Sequence, residues 1–225
     1  MNKTIVAAVT AAAVLAGFST SAMAAREAGD WIFRVGMTNV DPKQGNGEVD
    51  TDGLVPEVDG APIDVADDTQ VSFTGTYMFT PNLGLELLAS LPFEHDISVG
   101  GVQVGSTKHL PPTLNLQWHF NPAGEFHPYV GAGVNYTIFF DEDWDFTAID
   151  LLAGTDLNDL DYELKESFGY DLQAGVDFEI SETLLLNFDV RWIKIESDLE
   201  AKGVGKIAEV KIDPLTVGVS LGWKF

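Results

Sequence analysis

Residues 215–225 read Leu215-Thr216-Val217-Gly218-Val219-Ser220-Leu221-Gly222-Trp223-Lys224-Phe225. Every odd position is large and apolar, and every even one is small, polar or a lysine. A β-strand produces this pattern, because its successive side chains point to opposite faces. An unbroken apolar face opposite nothing bulky and apolar is more than a strand needs for packing on a water-soluble core. The same alternation recurs over residues 31–38, 70–79, 83–91, 113–120, 129–138, 167–178 and 184–193.

Eight such strands of about ten residues each match the ~9–11 residues that a tilted strand needs to cross a bilayer. The connections alternate in length. Short ones fall at 80–82, 121–126 and 179–182, and long ones near 41–69, 92–109, 140–166 and 196–207. Short turns on one rim and long loops on the other are the outer-membrane arrangement, with the N-terminus and short turns on the periplasmic side. The sequence therefore predicts an all-β fold, an eight-stranded antiparallel transmembrane β-barrel. A soluble up-and-down barrel would turn the apolar face inward instead. Two features oppose it. The polar face is rich in Gly, Ser and Thr rather than Lys and Glu. Aromatics also cluster at both ends of the apolar face: Trp31, Phe79, Trp118, Phe120, Phe178, Trp223 and Phe225 near the short turns, Phe168, Tyr170 and Trp192 near the long loops. Two belts are what the two membrane interfaces select.

Composition narrows the function classes. The 225 residues carry 12 Lys and Arg against 35 Asp and Glu, a net charge of −23. That opposes a nucleic-acid partner, whose footprint is basic, and a polybasic anchor on anionic lipid. The absence of cysteine excludes disulfides, thiolate metal sites and cysteine nucleophiles. Lys3, the apolar run 5–17 and Ala22-Met23-Ala24 form the three parts of a secretory signal peptide. Residues 1–24 are expected to be removed, leaving one barrel domain over 25–225, located in the cell outer membrane. Its length is 225 − 24 = 201 residues and its charge 11 − 35 = −24, because only Lys3 is lost.

Strand phase assigns the interior. Arg34, Glu86, Gln117, His119, Asp177, Asn187, Asp189, Arg191 and Lys224 point inward near the periplasmic rim. An eight-stranded barrel has room for side chains or one small ligand, and buried charges must pair. These residues read as a polar plug, with Arg34 and Arg191 paired to carboxylates among Glu86, Asp177 and Asp189; a partly hydrated lumen is the alternative. The upper interior is less charged, with Leu88, Gly133, Thr137, Phe139 and Ile193. Leu54, Val55, Phe93, Phe140, Trp144 and Phe146 either line an apolar mouth above it, suited to a hydrophobic solute, or pack as a loop core.

Residues 41–69 hold nine acidic side chains and 140–166 hold ten. Asp141, Asp143 and Asp145 open like a calcium loop, but Phe146 and Leu152 stand where Gly and Glu are required, so no metal site is assigned. The acidic loops read as solvated charge, or as weak divalent bridges to lipopolysaccharide. A short helix is expected within 146–165. His95, His109, His119 and His127 show no spacing that makes a Ser-His-carboxylate set, so no catalytic residue and no cofactor is assigned. A surface receptor or adhesin, a structural barrel without transport, and a lipid-modifying barrel enzyme remain the rival classes.

Several segments together resemble the outer-membrane protein W (OmpW) family of eight-stranded barrels. They are Gly29-Asp30-Trp31-Ile32-Phe33-Arg34; Leu83-Gly84-Leu85-Glu86-Leu87-Leu88-Ala89 running into Pro92-Phe93-Glu94-His95; His109-Leu110-Pro111-Pro112-Thr113; His127-Pro128-Tyr129-Val130-Gly131-Ala132-Gly133; and the terminal strand. The resemblance implies a barrel that passes small hydrophobic molecules and releases them sideways into the lipid. Proline cannot donate to a strand ladder. Pro92, Pro111 and Pro112 stand at facing ends of the third and fourth strands, so that seam is expected to be unzipped toward the outside. The expected partners are outer-membrane lipid and lipopolysaccharide, small hydrophobic solutes, and the barrel-assembly machinery through the last strand and Phe225.

Overall fold

In a computed structural model, residues 25–42, 47–50, 59–153 and 157–225 are described. The signal-peptide segment 1–24 and the loop residues Leu54 and Val55 lie outside them. The strands in chain order are β1 (Trp31–Asp41), β2 (Ile63–Val65), β3 (Asp68–Met78), β4 (Leu83–Ser90), β5 (Phe93–Val99), β6 (Val102–Leu110) and β7 (Thr113–His119). They continue with β8 (Phe126–Trp144), β9 (Tyr162–Leu164), β10 (Ser167–Glu179), β11 (Leu184–Ile193), β12 (Glu196–Ala201), β13 (Gly205–Lys211) and β14 (Leu215–Lys224).

Eight of them close a ring. β1 pairs with β3, β3 with β4, β4 with β7, β7 with β8, β8 with β10, β10 with β11, β11 with β14 and β14 back with β1, all antiparallel. These are the eight strands expected from the alternation. The first and last strands meet at one rim, where the backbones of Trp31 and Phe225 exchange hydrogen bonds of 3.0 and 2.9 Å.

The ring is apolar outside and polar inside. Leu87 is 56% exposed, while its neighbour Glu86 is 1% exposed. Arg34 is buried between the exposed Phe33 and Val35. A soluble barrel would show the opposite phase, so the outward apolar face is the lipid-facing one.

The long connections hold more order than their charge suggests. Residues 92–109, expected as loop, form the β5–β6 hairpin, which pairs with the upper part of β8. Its two-residue turn is Gly100-Gly101 with φ of 58° and 83°. That turn type needs positive φ at both central positions, which glycine adopts at no steric cost. Residues 196–207, also expected as loop, lie largely in β12 and β13, which join β9 in a second, three-stranded sheet. The expected short helix spans Thr147–Ala153 and begins where the Asp145 carboxylate accepts from the Thr147 N–H at 3.0 Å. Above the barrel these pieces share an apolar core built around Ile97, Val104, Phe146, Ile195, Leu199 and Val210.

Candidate functional site

The lower lumen is filled by one hydrogen-bonded network. Glu86 accepts from Arg191 at 2.7 Å and from Arg34 at 3.2 Å. Arg34 also donates to both oxygens of Asp177, at 3.1 and 2.8 Å, and lies over the Tyr129 ring. Arg191 donates to Asp189 at 2.8 Å. Asn187 ties Tyr129 to Asp177, with contacts of 3.0 and 2.8 Å.

The directions of these bonds can be followed. Arg26 has no acceptor atom, so it donates to Nδ1 of His119, which must carry a lone pair there. In the neutral ring Nε2 then carries the proton and donates to Gln117 at 3.1 Å. Gln117 donates to Gln173 at 2.8 Å, and Gln173 donates to Glu86 at 3.3 Å. The chain of donors thus spans the lumen between β10 and the adjacent strands β7 and β4. Arg26 also pairs with Asp177. A cavity of about 10 Å³ lies against the network, bordered by Arg34, Glu86, Arg191, Leu88 and Thr38, roughly enough for one water. Beneath it, Ile32, Met78 and Leu185 form a small buried apolar cluster.

One residue of the sequence-derived set sits apart, and three residues of the network were missed. Lys224 belongs to a rim cluster, pairing with Glu179 at 3.3 Å, and Glu179 also meets His127 at 2.9 Å. Arg26 lies before the first strand, where alternation assigns no phase, yet it reaches the centre. Tyr129 and Gln173 could have been found, because each shares the inward phase of its strand.

Above the network and inside the loop sheets lies an apolar cavity of about 260 Å³. Ile97, Val104, Trp144, Phe146, Leu199 and Val210 are among its walls. Of the residues proposed as a mouth, Trp144 and Phe146 line it. Phe140 is half-buried on the face of β8 opposite Phe139 and is not among the described lining residues. Phe93, Phe139, Leu88 and Ile193 are buried, but inside the upper barrel rather than on the cavity wall.

Between the two levels the wall is interrupted. The β4–β7 ladder ends at Leu88 opposite Thr113, and the next rung is Phe93 opposite His109, between β5 and β6. Residues 89–92 and 110–112, which include Pro92, Pro111 and Pro112, make no ladder pairing across this seam among the described residues. Each side is held instead by its outer neighbour. Leu91 donates to Val71 at 2.9 Å, and Tyr136 donates to Pro112 at 3.1 Å. The sequence suggested a seam open to the outer rim; the β5–β6 hairpin closes it again above the prolines.

The matches to known proteins agree with this architecture. The OmpW family model matches residues 27–225. Outer membrane protein W of Vibrio cholerae serotype O1 is 37% identical over 222 residues, 95% of this chain and 96% of the relative. The crystal structure of the outer membrane protein OprG from Pseudomonas aeruginosa superposes with a TM-score of 0.78 at 33% identity, over 90% of this chain and 99% of that one. A more distant relative, the dibenzothiophene metabolism operon protein PahQ of Pseudomonas aeruginosa, is 24% identical over 88% of this chain and 90% of its own length.

Proposed function

The chain belongs to the OmpW family of the outer membrane, and from that premise we propose that it is a channel for passive uptake of small hydrophobic molecules. A solute enters the apolar cavity between the external loops, is stopped by the polar floor, and leaves sideways into the lipid between β4 and β7. The observation that carries this reading is the vertical order of the three features: apolar cavity, interrupted seam, paired polar floor.

An apolar solute gains free energy in the cavity by shedding water. Continuing along the axis would require separating buried ion pairs, and leaving one partner uncompensated costs ~3–5 kcal/mol. The seam needs no such separation, because no ladder bonds span it among the described residues. Non-helical backbone without ladder partners is tolerated at membrane depth only where protein buries it or a cavity adjoins it. The name of the relative PahQ, which refers to dibenzothiophene, is in line with an apolar solute. In this reading the surrounding lipid and lipopolysaccharide receive the solute, and the last strand ending in Phe225 is the segment offered to the barrel-assembly machinery.

The experiment is a reversible lock. Cysteines replacing Ser90 and Thr113 are oxidised across the seam in cells that display the barrel, and uptake of a hydrophobic tracer is followed. Uptake is expected to fall to that of cells lacking the barrel on oxidation and to return on reduction. Equal uptake in the two states, with the bridge verified by mass, overturns lateral exit at this seam.

A further inference from the structure

The inner face of the β5–β6 hairpin connects the cavity with the seam. Ile97 and Val104 stand at the cavity wall. His95 is the next inward residue of β5 below Ile97. His109 sits opposite Phe93 on the rung next to the interruption. The two imidazoles stack with centroids 4.8 Å apart, and Phe93 and Phe139 lie 5.5 and 5.8 Å from His109. Both histidines are fully buried.

Their nitrogen atoms are largely unpaired. His95 Nδ1 lies 2.6 Å from the Ala66 carbonyl oxygen. A carbonyl only accepts, so Nδ1 carries the proton and Nε2 of the neutral ring holds a lone pair. That Nε2, and both nitrogens of His109, have no hydrogen-bond partner among the described residues. The pair therefore presents one free N–H and two free lone pairs inside an aromatic stack. Leaving a buried polar group unsatisfied is unfavourable, because its hydrogen bonds to water are lost and not replaced. Stacking alone does not require that cost, since phenylalanine serves it at positions 93 and 139.

We propose that His95 and His109 receive the polar end of a passing solute, and that the preferred solute is an apolar chain ending in a hydroxyl. The inference rests on the uptake reading above and names the substrate class for it. A hydroxyl both donates and accepts, so it can engage the free N–H and one lone pair at once. An alkane leaves all three atoms unpaired. A carboxylate only accepts, so it meets two lone pairs with a single donor and loses its hydration. A water molecule has the same complement as a hydroxyl, and the test separates the two.

The probes are 1-decanol and decane, titrated separately into the barrel carrying ¹⁵N-labelled histidine and tryptophan in detergent micelles. Decanol is expected to shift the His109 ring nitrogens and His95 Nε2, whereas decane shifts only the indole signal of the cavity residue Trp144. In whole cells, the ratio of barrel-dependent decanol to decane uptake is expected to drop about fivefold in His109→Phe, the equivalent of one hydrogen bond of ~1 kcal/mol. The wild-type titration decides the matter if that variant does not insert. If both probes move Trp144 equally and no imidazole nitrogen, a resident water satisfies the pair and the inference falls, while the uptake reading stands. If neither probe moves Trp144 or enters faster than into cells without the barrel, the uptake reading itself falls and takes the inference with it.

Discussion

Glu86 shows how far one residue is determined by its strand phase. It sits between Leu85 and Leu87, both apolar, so alternation alone sends it inward, and there it takes charge from two arginines on strands β1 and β11. Replacing it with Gln preserves shape but leaves Arg34 with Asp177 and Arg191 with Asp189. Because each arginine keeps a second carboxylate, the expected loss lies below the ~3–5 kcal/mol of a buried charge left without a partner, measured by urea unfolding in vesicles; an unchanged midpoint would mean that the lumen is hydrated enough to screen the pair. Gly175 makes a second, steric case. A Cβ there would lie 2.4 Å from the Tyr129 ring, and Tyr129 organises Asn187 and Gln173. Gly175→Ala is expected to displace that ring and destabilise the barrel by ~1–3 kcal/mol, the usual cost of overpacking. An unaltered tyrosine environment in ultraviolet absorbance would contradict it. Arg34, Glu86 and Arg191 were legible in this way, from parity alone. Arg26 was not, since it precedes the first strand and its reach into the lumen depends on a chain path that no local pattern encodes.

At the scale of elements, the membrane strands were readable and the external ones were not, for one physical reason. Lipid selects an unbroken apolar face, which gives a strong signal in every crossing strand. β5 has the same period, Phe93, His95, Ile97 and Val99 inward, but its other face bears Glu94 and Asp96 in water. That mixture resembles an acidic loop, and the one local signal that could have revealed the hairpin, the Gly100-Gly101 pair, was not used. The hairpin also carries a pH dependence. Burial holds the His95 imidazole below its ordinary pKa of 6.5, although Asp67, Asp68 and Asp96 pull the other way. Burial, helped by His95 and opposed by Asp68, pushes His109 down to about 3. Below pH 6.5 the unfolded hairpin binds protons that the folded one does not, so its stability falls as pH drops from about 6.5 toward 3. The slope approaches ~1.4 kcal/mol per pH unit for His109 alone. Hydrogen exchange at pH 7 and pH 5, corrected for intrinsic rates, should show β5 and β6 losing protection while β1 and β14 keep theirs. Equal protection in β5 and β6 at both pH values would show that the imidazoles are already solvated.

The whole molecule is organised by two solvents at once, and its surface can be made to report where they meet. Water claims the acidic loops, and lipid claims the band of outward apolar side chains. Leu87 lies mid-ladder, opposite Gly75 and Leu114. Phe168 lies near the external end of β10, 74% exposed. If the outward face contacts hydrocarbon, the cost of a charge must depend on depth. Leu87→Arg is then expected to lose ~2–4 kcal/mol and Phe168→Arg only ~0–1 kcal/mol. In a barrel facing water, neither substitution would cost more than the ~0.5 kcal/mol usual for an exposed site, and the two would not differ. Reversible unfolding of both variants in vesicles gives the difference directly. Because the two sites share the apolar outward phase and differ mainly in height, a gap of ~2 kcal/mol or more reads out the position of the bilayer midplane, and two equal small losses would reject the membrane orientation on which the sideways exit depends.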